Sequence, residues 1–251
     1  SRDIARFNGE NIYFYEISNP KGYIEWFKRT MKYEKIQKSY RAMMEQAHTE
    51  VEELKLSKMR TPLQKAVQIL KRHRDIFFAN RDDADDKPSS IIITTLCAMV
   101  YEDTYGSFEK DNVYLTVKNM LEKFPEYVKK NSQGEYYLQN PSNIRENFLK
   151  KWNSNEKLVT AFKEWIEKAR TDIIYNPEQF IEGNPQALRK ALYESFGERD
   201  SEIALESYGN RLGEYAKEGK MKYDMEKANI VLNEDAGKGY RKHTYFGGQQ
   251  E

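Results

Sequence analysis

The stretch of sequence that decides the fold reads TPLQKAVQILKRHRD at residues 61–75 and IIITTLCAMV at residues 91–100, with an acidic loop between them. Thr61 is a favourable N-cap residue, Pro62 suits the first helical position, and Gln64 completes a capping box. Apolar residues then recur on one face, and lysines and arginines occupy the remaining faces. The first part is therefore predicted to form an amphipathic helix with a well-defined start.

The second part is apolar on nearly every face, which predicts that it is buried on all sides. Ser89 or Ser90 can cap its start, directly after the acidic loop. The run of three isoleucines and two threonines at residues 91–95 would fit a strand by propensity. An apolar stretch of about ten residues without a turn favours a buried helix. A helix is therefore the prediction, and a strand is the alternative.

Residues 11–17 read NIYFYEI, a pattern that predicts a short strand. A single strand is not stable alone, so it must join a sheet that this chain does not otherwise supply, or pack on the helices. We therefore expect that part of the protein lies upstream. The other predicted elements are a helix starting at Pro20, helices over residues 33–56, 112–124 (ended by Pro125), 144–152, 156–176, 185–196 and 202–219, a turn with a short extended piece at residues 131–137, and a loose tail from Asn233.

The composition is that of a globular chain with an unusually polar surface, since 39% of the 251 residues are apolar and 32% are charged. Lysine plus arginine number 41 and aspartate plus glutamate number 40, so net charge does not indicate a nucleic-acid partner, and only a local basic patch could. The lone cysteine, Cys97, excludes an internal disulfide, suits a reducing compartment and is expected to pack in the buried segment. No apolar run reaches the ~20 residues that span a bilayer.

Several pieces of the chain, taken in order, resemble one family. Residues 61–64 (TPLQ), 70–75 (LKRHRD) and 88–96 (PSSIIITTL) are similar to the C-terminal helical domain of bacterial nucleotidyltransferases related to cyclic GMP–AMP synthase and oligoadenylate synthetase. These are the CD-NTases, the cyclic-oligonucleotide synthases of anti-phage CBASS signalling. Further pieces that fit the pattern are residues 18–27, residues 140–148 followed by Trp152, and residues 242–247.

The resemblance implies a mainly α fold: a helical bundle with an N-terminal strand remnant of a missing nucleotidyltransferase palm sheet. Residues 1–18 would be a strand and linker from the upstream catalytic domain, residues 19–232 the C-terminal helical domain, and residues 233–251 a tail. The full-length enzyme would join ATP and other nucleoside triphosphates into a cyclic di- or trinucleotide in the cytoplasm. Mg²⁺ would be bound by the missing domain, and an activator protein would be a further partner. The resemblance implies no membrane, and this chain alone is expected to be inactive.

Four residues are predicted to bind the donor nucleotide. Lys71 carries a compact charge suited to a phosphate, and the resemblance implies that it contacts the triphosphate; from the residues alone, a solvated surface lysine is the alternative. Ser90 offers a hydroxyl and unpaired backbone N–H groups at a helix N-terminus, or it is a plain N-cap. Ser89 is the weaker candidate of the two serines for binding the nucleotide. Arg74 could help to bind phosphates, or it could form a salt bridge or stay solvated. Ile91 stands where some relatives stack an aromatic ring on the base, which leaves base recognition open.

The residues that could bind a metal do not follow a known pattern. The acidic loop at residues 82–86 lacks the glycine and the terminal glutamate of an EF-hand, and the histidines at positions 48, 73 and 243 lack metal-ligand spacing. His73 is expected to be packed and hydrogen-bonded. The resemblance implies magnesium-binding carboxylates in a Gly-Ser and Asp-x-Asp motif. That motif is not present in this sequence, so no catalytic residue is assigned.

Two alternatives from other functional classes remain. One is a stand-alone helical interaction module without catalysis, which the missing motifs allow. The other is a sensor of double-stranded nucleic acid, which would need a basic stripe and a strong dependence on salt. The near-zero net charge counts against the sensor.

Overall fold

Helices dominate the computed structural model of this protein, which describes residues 2–6, 14–31, 60–104, 112–175, 185–224 and 229–232. The chain divides into two compact units, Ser1–Ser195 and Phe196–Glu251. The prediction of a mainly α, helical-bundle fold is confirmed. The predicted boundaries at residues 18 and 232 stay predictions. The predicted helix over residues 33–56 and the tail from Asn233 lie outside the described residues.

The helices of the first unit are α1 (Pro20–Thr30), α2 (Pro62–Phe78), α3 (Ser90–Thr104), α4 (Val113–Tyr127), α5 (Glu156–Arg170) and α6 (Pro185–Phe196), whose last residue begins the second unit. A π-helical turn at Thr171–Tyr175 continues α5, and 3₁₀ turns lie at Ala84–Asp86 and Lys150–Asn153. The second unit contains α7 (Glu198–Lys217) and a hairpin of β7 (Met221–Asp224) and β8 (Asn229–Leu232). No helix among the described residues is long and apolar enough to cross a membrane.

The predicted start of α2 is confirmed. Thr61 Oγ1 accepts a hydrogen bond from Gln64 N at 3.2 Å, and Gln64 Oε1 accepts one from Thr61 N at 2.9 Å. This reciprocal pair satisfies two donors that a helix start leaves unpaired. Leu63, Val67 and Leu70 are buried at predicted apolar positions, whereas the buried Arg74 lies outside the predicted apolar face.

The core lies around α3, which packs against α1, α2 and α4. The predicted helix is confirmed for this segment, and its side chains are buried on several faces: Ile92, Ile93, Thr95, Leu96, Cys97, Ala98, Val100 and Tyr101. Tyr23 of α1 contacts it through a hydrogen bond between the Tyr23 hydroxyl and Thr95 Oγ1 at 2.9 Å. A helix of this apolar composition is stable in water only when other elements cover it.

The predicted N-terminal strand has a partner within this chain, so the expectation that the chain supplies none was wrong. Strand β2 (Phe14–Ser18) pairs antiparallel with β1 (Arg2–Arg6), with Ile4 opposite Glu16. The sequence RDIAR of β1 contains three charged residues and no run of β-branched or aromatic residues, so propensity gave no signal for it. Residues 11–13 of the predicted strand lie outside the described residues.

The prediction of a helix over residues 144–152 is also wrong. Strand β6 (Asn143–Asn147) and the 3₁₀ turn at Lys150–Asn153 occupy this range instead; β6 pairs with β5 (Gln139–Asn140), and a second small hairpin, β3 (Lys129–Lys130) with β4 (Tyr136–Tyr137), precedes them. The Asn147 side chain accepts from the backbone N–H groups of Leu138 and Leu149, each at 2.9 Å. Side-chain bonds of this kind offer the backbone an alternative to the helical ladder. The β3–β4 hairpin confirms the predicted turn and extended piece.

Asparagine side chains also join this region to the start of α1. Asn19 Oδ1 caps α1 by accepting from Gly22 N at 3.1 Å, and Asn19 Nδ2 donates to Ser142 O at 3.2 Å. Ser142 Oγ donates in return to Asn19 O at 3.2 Å. Two separate stretches that carry the family resemblance, residues 18–27 and residues 140–148, are therefore in contact.

Helix α4 does not end at Pro125 as predicted but continues to Tyr127. A proline has no N–H group, so the carbonyl four residues earlier, that of Leu121, loses its helical partner. Arg170 supplies a replacement, because its Nε donates to Leu121 O at 3.1 Å and its Nη2 donates to Glu122 O at 3.2 Å. The sequence could not show this bond, since it joins residues 49 positions apart.

We expect Arg170→Met to lower the free energy of unfolding by about 1–2 kcal/mol, because the Leu121 carbonyl would lose a charge-assisted partner. The measurement is urea denaturation followed by tryptophan fluorescence. Lys163→Met is the matched control, since Lys163 is an exposed cation on the same helix. An equal loss in both variants would show that the carbonyl contacts of Arg170 contribute nothing.

Candidate functional site

An open groove with a volume of about 500 Å³ lies between α1, α2 and α3. The side chains that line it include Phe27 from α1, Gln64, Lys71, Arg72 and Asp75 from α2, and Thr94 from α3. Its lining therefore combines an aromatic ring, cations and one carboxylate. Such a mixture suits a ligand with both an apolar and an anionic part.

Lys71 is the predicted site residue that lines this groove. Its side chain is half-buried on α2. Among the described residues, its ammonium group forms no hydrogen bond and no ion pair. A lysine ammonium without a protein partner in an open groove is a compact charge that an anionic ligand can approach.

Ser90 is the first residue of α3, and both it and Ser89 are exposed. Ser89 O accepts from Ile93 N at 3.3 Å, so the first helical bond begins at Ser89. Ser90 lies one turn before Thr94, and Thr94 Oγ1 donates to Ser90 O at 2.7 Å. Neither serine lines the groove, although Thr94 does. The first-turn N–H groups of α3 are available to an anion, as at any helix N-terminus.

Arg74 lies in a different environment from the one expected of a phosphate ligand, because its side chain is buried. Its Nη1 donates to Pro88 O at 2.9 Å and to Ser90 Oγ at 3.3 Å. Its Nε and Nη2 donate to Asp75 Oδ1 at 3.0 and 2.8 Å. The structure thus brings Arg74 and Ser90 together, and it links them through Asp75 to the groove that Lys71 lines.

Comparisons with known proteins give the family relationship. No protein-family model matches the chain. A stretch of 158 residues, 62% of the chain, is 32% identical to a c-di-GMP synthase of Roseivirga ehrenbergii and spans 38% of that protein. The fold is similar to that of the Bradyrhizobium diazoefficiens CD-NTase CdnG, solved in complex with GTP, with a TM-score of 0.51 and 14% sequence identity. That match covers 78% of this chain and 57% of CdnG. The chain is related to the CD-NTase-like nucleotidyltransferases.

In this CD-NTase relative, the acidic loop is held by an arginine. Arg81 donates to both carboxylate oxygens of Asp83, at 2.7 and 2.8 Å, and to Glu164 Oε2 on α5 at 2.6 Å. Its guanidinium also lies 4.5 Å from the centroid of the Phe77 ring. The hydrogen bonds from Arg81 lower the pKa of Asp83. Within the described residues, no group of three or more His, Cys, Asp or Glu side chains is placed to hold a metal ion.

His73 is packed and hydrogen-bonded, as predicted, and it is almost fully buried, with a side-chain exposure of 1%. Trp165 Nε1 donates to His73 Nδ1 at 3.1 Å, so the ring proton must lie on Nε2. Nε2 then donates to Asp172 Oδ2 at 3.1 Å, and Lys168 Nζ donates to Asp172 Oδ1 at 2.6 Å. This network ties α2 of the CD-NTase-like bundle to α5 and its π-helical turn. No sequence signal identified Trp165 or Asp172 as its members.

Cys97 is fully buried, in agreement with its predicted packing role. Burial raises the pKa of its thiol, and the positive charge of Lys71 opposes this rise to a smaller extent. A thiol in this environment is a poor nucleophile.

Proposed function

We propose that this chain is the helical part of a nucleotidyltransferase that synthesises a cyclic-oligonucleotide second messenger from nucleoside triphosphates. In this proposal the triphosphate of the donor nucleotide lies in the groove beside Lys71 and extends past Thr94 to the N-terminus of α3. Lys71 would neutralise phosphate charge, and the Ser90 hydroxyl and the N-terminus of α3 would donate hydrogen bonds to phosphate oxygens. The proposal rests on one observation, that the half-buried Lys71 side chain lines an open groove and its ammonium has no partner among the described residues.

The two relatives support the choice of ligand. One is named a c-di-GMP synthase, and the other was solved in complex with GTP. GTP is therefore the first nucleotide to test, with ATP as the comparison. On resemblance we also propose that the enzyme uses Mg²⁺ and that carboxylates outside this chain bind it. On resemblance alone we also propose a role in anti-phage defence, a cytoplasmic location and an activator protein.

The role of this chain in such a reaction would be binding and orientation. Phosphoryl transfer depends mainly on positioning and on electrostatic stabilisation of the transferred phosphate, and requires little covalent chemistry from side chains. A lysine at the triphosphate holds the reacting phosphate in place and disperses its charge. The chain alone would bind nucleotide but would not turn it over.

Lys71→Ala is expected to weaken GTP binding to the chain by about tenfold or more, because one charge-assisted contact contributes about 1.5 kcal/mol or more. The measurement is isothermal titration calorimetry at fixed, low ionic strength. The same substitution in the full-length enzyme is expected to lower turnover by about tenfold or more.

Lys65→Ala is the matched control, because Lys65 is an exposed lysine on α2 outside the groove lining. Its GTP affinity should stay within about twofold of the wild type, since an exposed charge contributes little. A wild-type chain that shows no triphosphate-dependent heat would support a non-catalytic interaction module instead. Equal affinities of Lys71→Ala and the wild type would remove Lys71 from the site.

A further inference from the structure

We infer that Arg74 is a positioning residue for the proposed triphosphate site, and that it acts by holding Ser90 and the backbone before α3 rather than by touching phosphate. The inference rests on the proposed function, and it differs from the expectation that Arg74 contacts the nucleotide directly. It is carried by the burial of Arg74 and by the partners of its guanidinium group.

The guanidinium of Arg74 is almost fully engaged within the protein. The side chain of Arg74 is 6% exposed. Its hydrogen bonds to Pro88 O, Ser90 Oγ and Asp75 Oδ1 use both Nη1 hydrogens, the Nε hydrogen and one Nη2 hydrogen. That is four of the five N–H groups that an arginine has. To bind a phosphate bidentately, Arg74 would have to give up contacts that its burial makes costly to lose.

The contact with Ser90 sets the direction in which its hydroxyl can donate. Because Ser90 Oγ accepts from Arg74 Nη1, the serine hydrogen must point elsewhere. Ser90 is the first residue of its helix and is exposed, so this hydrogen is directed to solvent or to a ligand. A hydroxyl that accepts from a cation is also a better donor to an anion.

The contact with Pro88 fixes the backbone that leads into α3. Pro88 is buried, and its carbonyl accepts from Arg74 Nη1 at 2.9 Å. Only Ser89 separates this anchored carbonyl from the helix, so the approach to α3 has little freedom. The first N–H groups of α3, which a helix leaves unpaired, are therefore held in one orientation. Arg74 thus prepares both kinds of donor that the proposed site would use.

Asp75 supplies the negative charge that a buried guanidinium needs. Its Oδ1 accepts two hydrogen bonds from Arg74, and its side chain is 46% exposed. Asp75 also lines the groove. The pairing with Arg74 offsets a carboxylate charge that would otherwise repel a triphosphate.

A double-mutant cycle tests the inference, with GTP affinity measured by calorimetry for the wild type, Arg74→Lys, Ser90→Ala and the double variant. Lysine keeps the charge but cannot reproduce the forked contacts of arginine. Each single substitution is expected to weaken GTP binding by about fivefold, the value of one hydrogen bond. The double variant should bind within about twofold of either single variant, because both remove the same oriented hydroxyl.

The cycle has a matched control at the neighbouring serine. Ser89 is exposed like Ser90, and no contact joins it to Arg74 within the described residues. The effects of Ser89→Ala and Arg74→Lys on GTP affinity should therefore add. Amide hydrogen exchange at residues 89–93 gives a readout without ligand, and we expect faster exchange in Arg74→Lys. If that variant does not fold, Arg74→Gln is used in the same cycle.

The outcomes separate the two proposals. Additive losses of about 25-fold in the double variant would mean that Arg74 acts on the nucleotide independently of Ser90, and would overturn the positioning role alone. Unchanged GTP affinity in Arg74→Lys would also overturn the positioning role of Arg74. If the wild-type chain does not bind GTP at all, the proposed function fails and this inference fails with it.

Discussion

Replacing Leu96 by alanine is expected to lower the free energy of unfolding by about 3 kcal/mol, because the substitution leaves a cavity in a closely packed core. Leu96 is fully buried at the centre of α3, with no exposed surface. The neighbouring residues Ile93 and Val100 are also fully buried, so solvent cannot enter the cavity from the same face. The variant should still fold, with a lower urea midpoint.

Tryptophan fluorescence is the appropriate probe for this experiment. All three tryptophans of the chain lie in the unit Ser1–Ser195, so their signal reports the unfolding of the unit that contains α3. Ile144→Ala is the control, because Ile144 is 74% exposed and its loss should change the free energy of unfolding by less than about 0.5 kcal/mol. Equal effects of the two substitutions would contradict the burial of α3.

The sequence predicted those parts of the fold that local signals encode. The capping box of Thr61 and Gln64 placed the start of α2, and the apolar run at residues 91–100 placed the buried helix α3. Both signals lie within a few residues of the structure they specify. Two of the predictions that failed, the missing partner of β2 and the helix at residues 144–152, concern segments whose structure depends on pairing with another segment.

The candidate site also combines features that local sequence signals encode with contacts that depend on distant segments. The position of Lys71 on the polar side of α2 is a local feature of the amphipathic pattern, and the structure places it in the groove lining; its role in binding stays a prediction. The partners of Arg74 and His73 could not be predicted, since Arg74 reaches Ser90 across 16 residues and His73 reaches Asp172 across 99. Arginine and histidine side chains are compatible with several roles, and only the folded chain determines which acceptor each one meets.

Asp172→Ala is expected to lower the free energy of unfolding by about 2–3 kcal/mol, because it removes a charged acceptor from the buried Nε2–H of His73. The Asp172 side chain is 3% exposed and that of His73 is 1% exposed, so water cannot replace the lost acceptor without rearrangement. Lys168 is 44% exposed and contributes less, since solvent screens its charge.

Asp172→Asn is the matched control, because an amide oxygen can still accept from His73 while the charge is lost. We expect a loss of about 1 kcal/mol for this variant, the difference between a charge-assisted and a neutral hydrogen bond. Urea denaturation at neutral pH, followed by tryptophan fluorescence, measures both. If alanine and asparagine had equal effects, the hydrogen bond to His73 would contribute nothing beyond the charge.

The pH dependence of this difference provides an independent test of the same network. Burial alone would raise the pKa of Asp172, but the hydrogen bonds from His73 and Lys168 outweigh it and lower the pKa below its ordinary value. A carboxyl group with a lower pKa in the folded state stabilises the protein above its unfolded pKa of about 3.9. That stabilisation is lost as the pH falls through the folded pKa. The difference in free energy of unfolding between the wild type and Asp172→Ala should therefore be constant near neutral pH and shrink below about pH 4. A difference that increases as the solution is acidified would mean that Asp172 is protonated in the folded chain at neutral pH, and that burial outweighs its two hydrogen bonds.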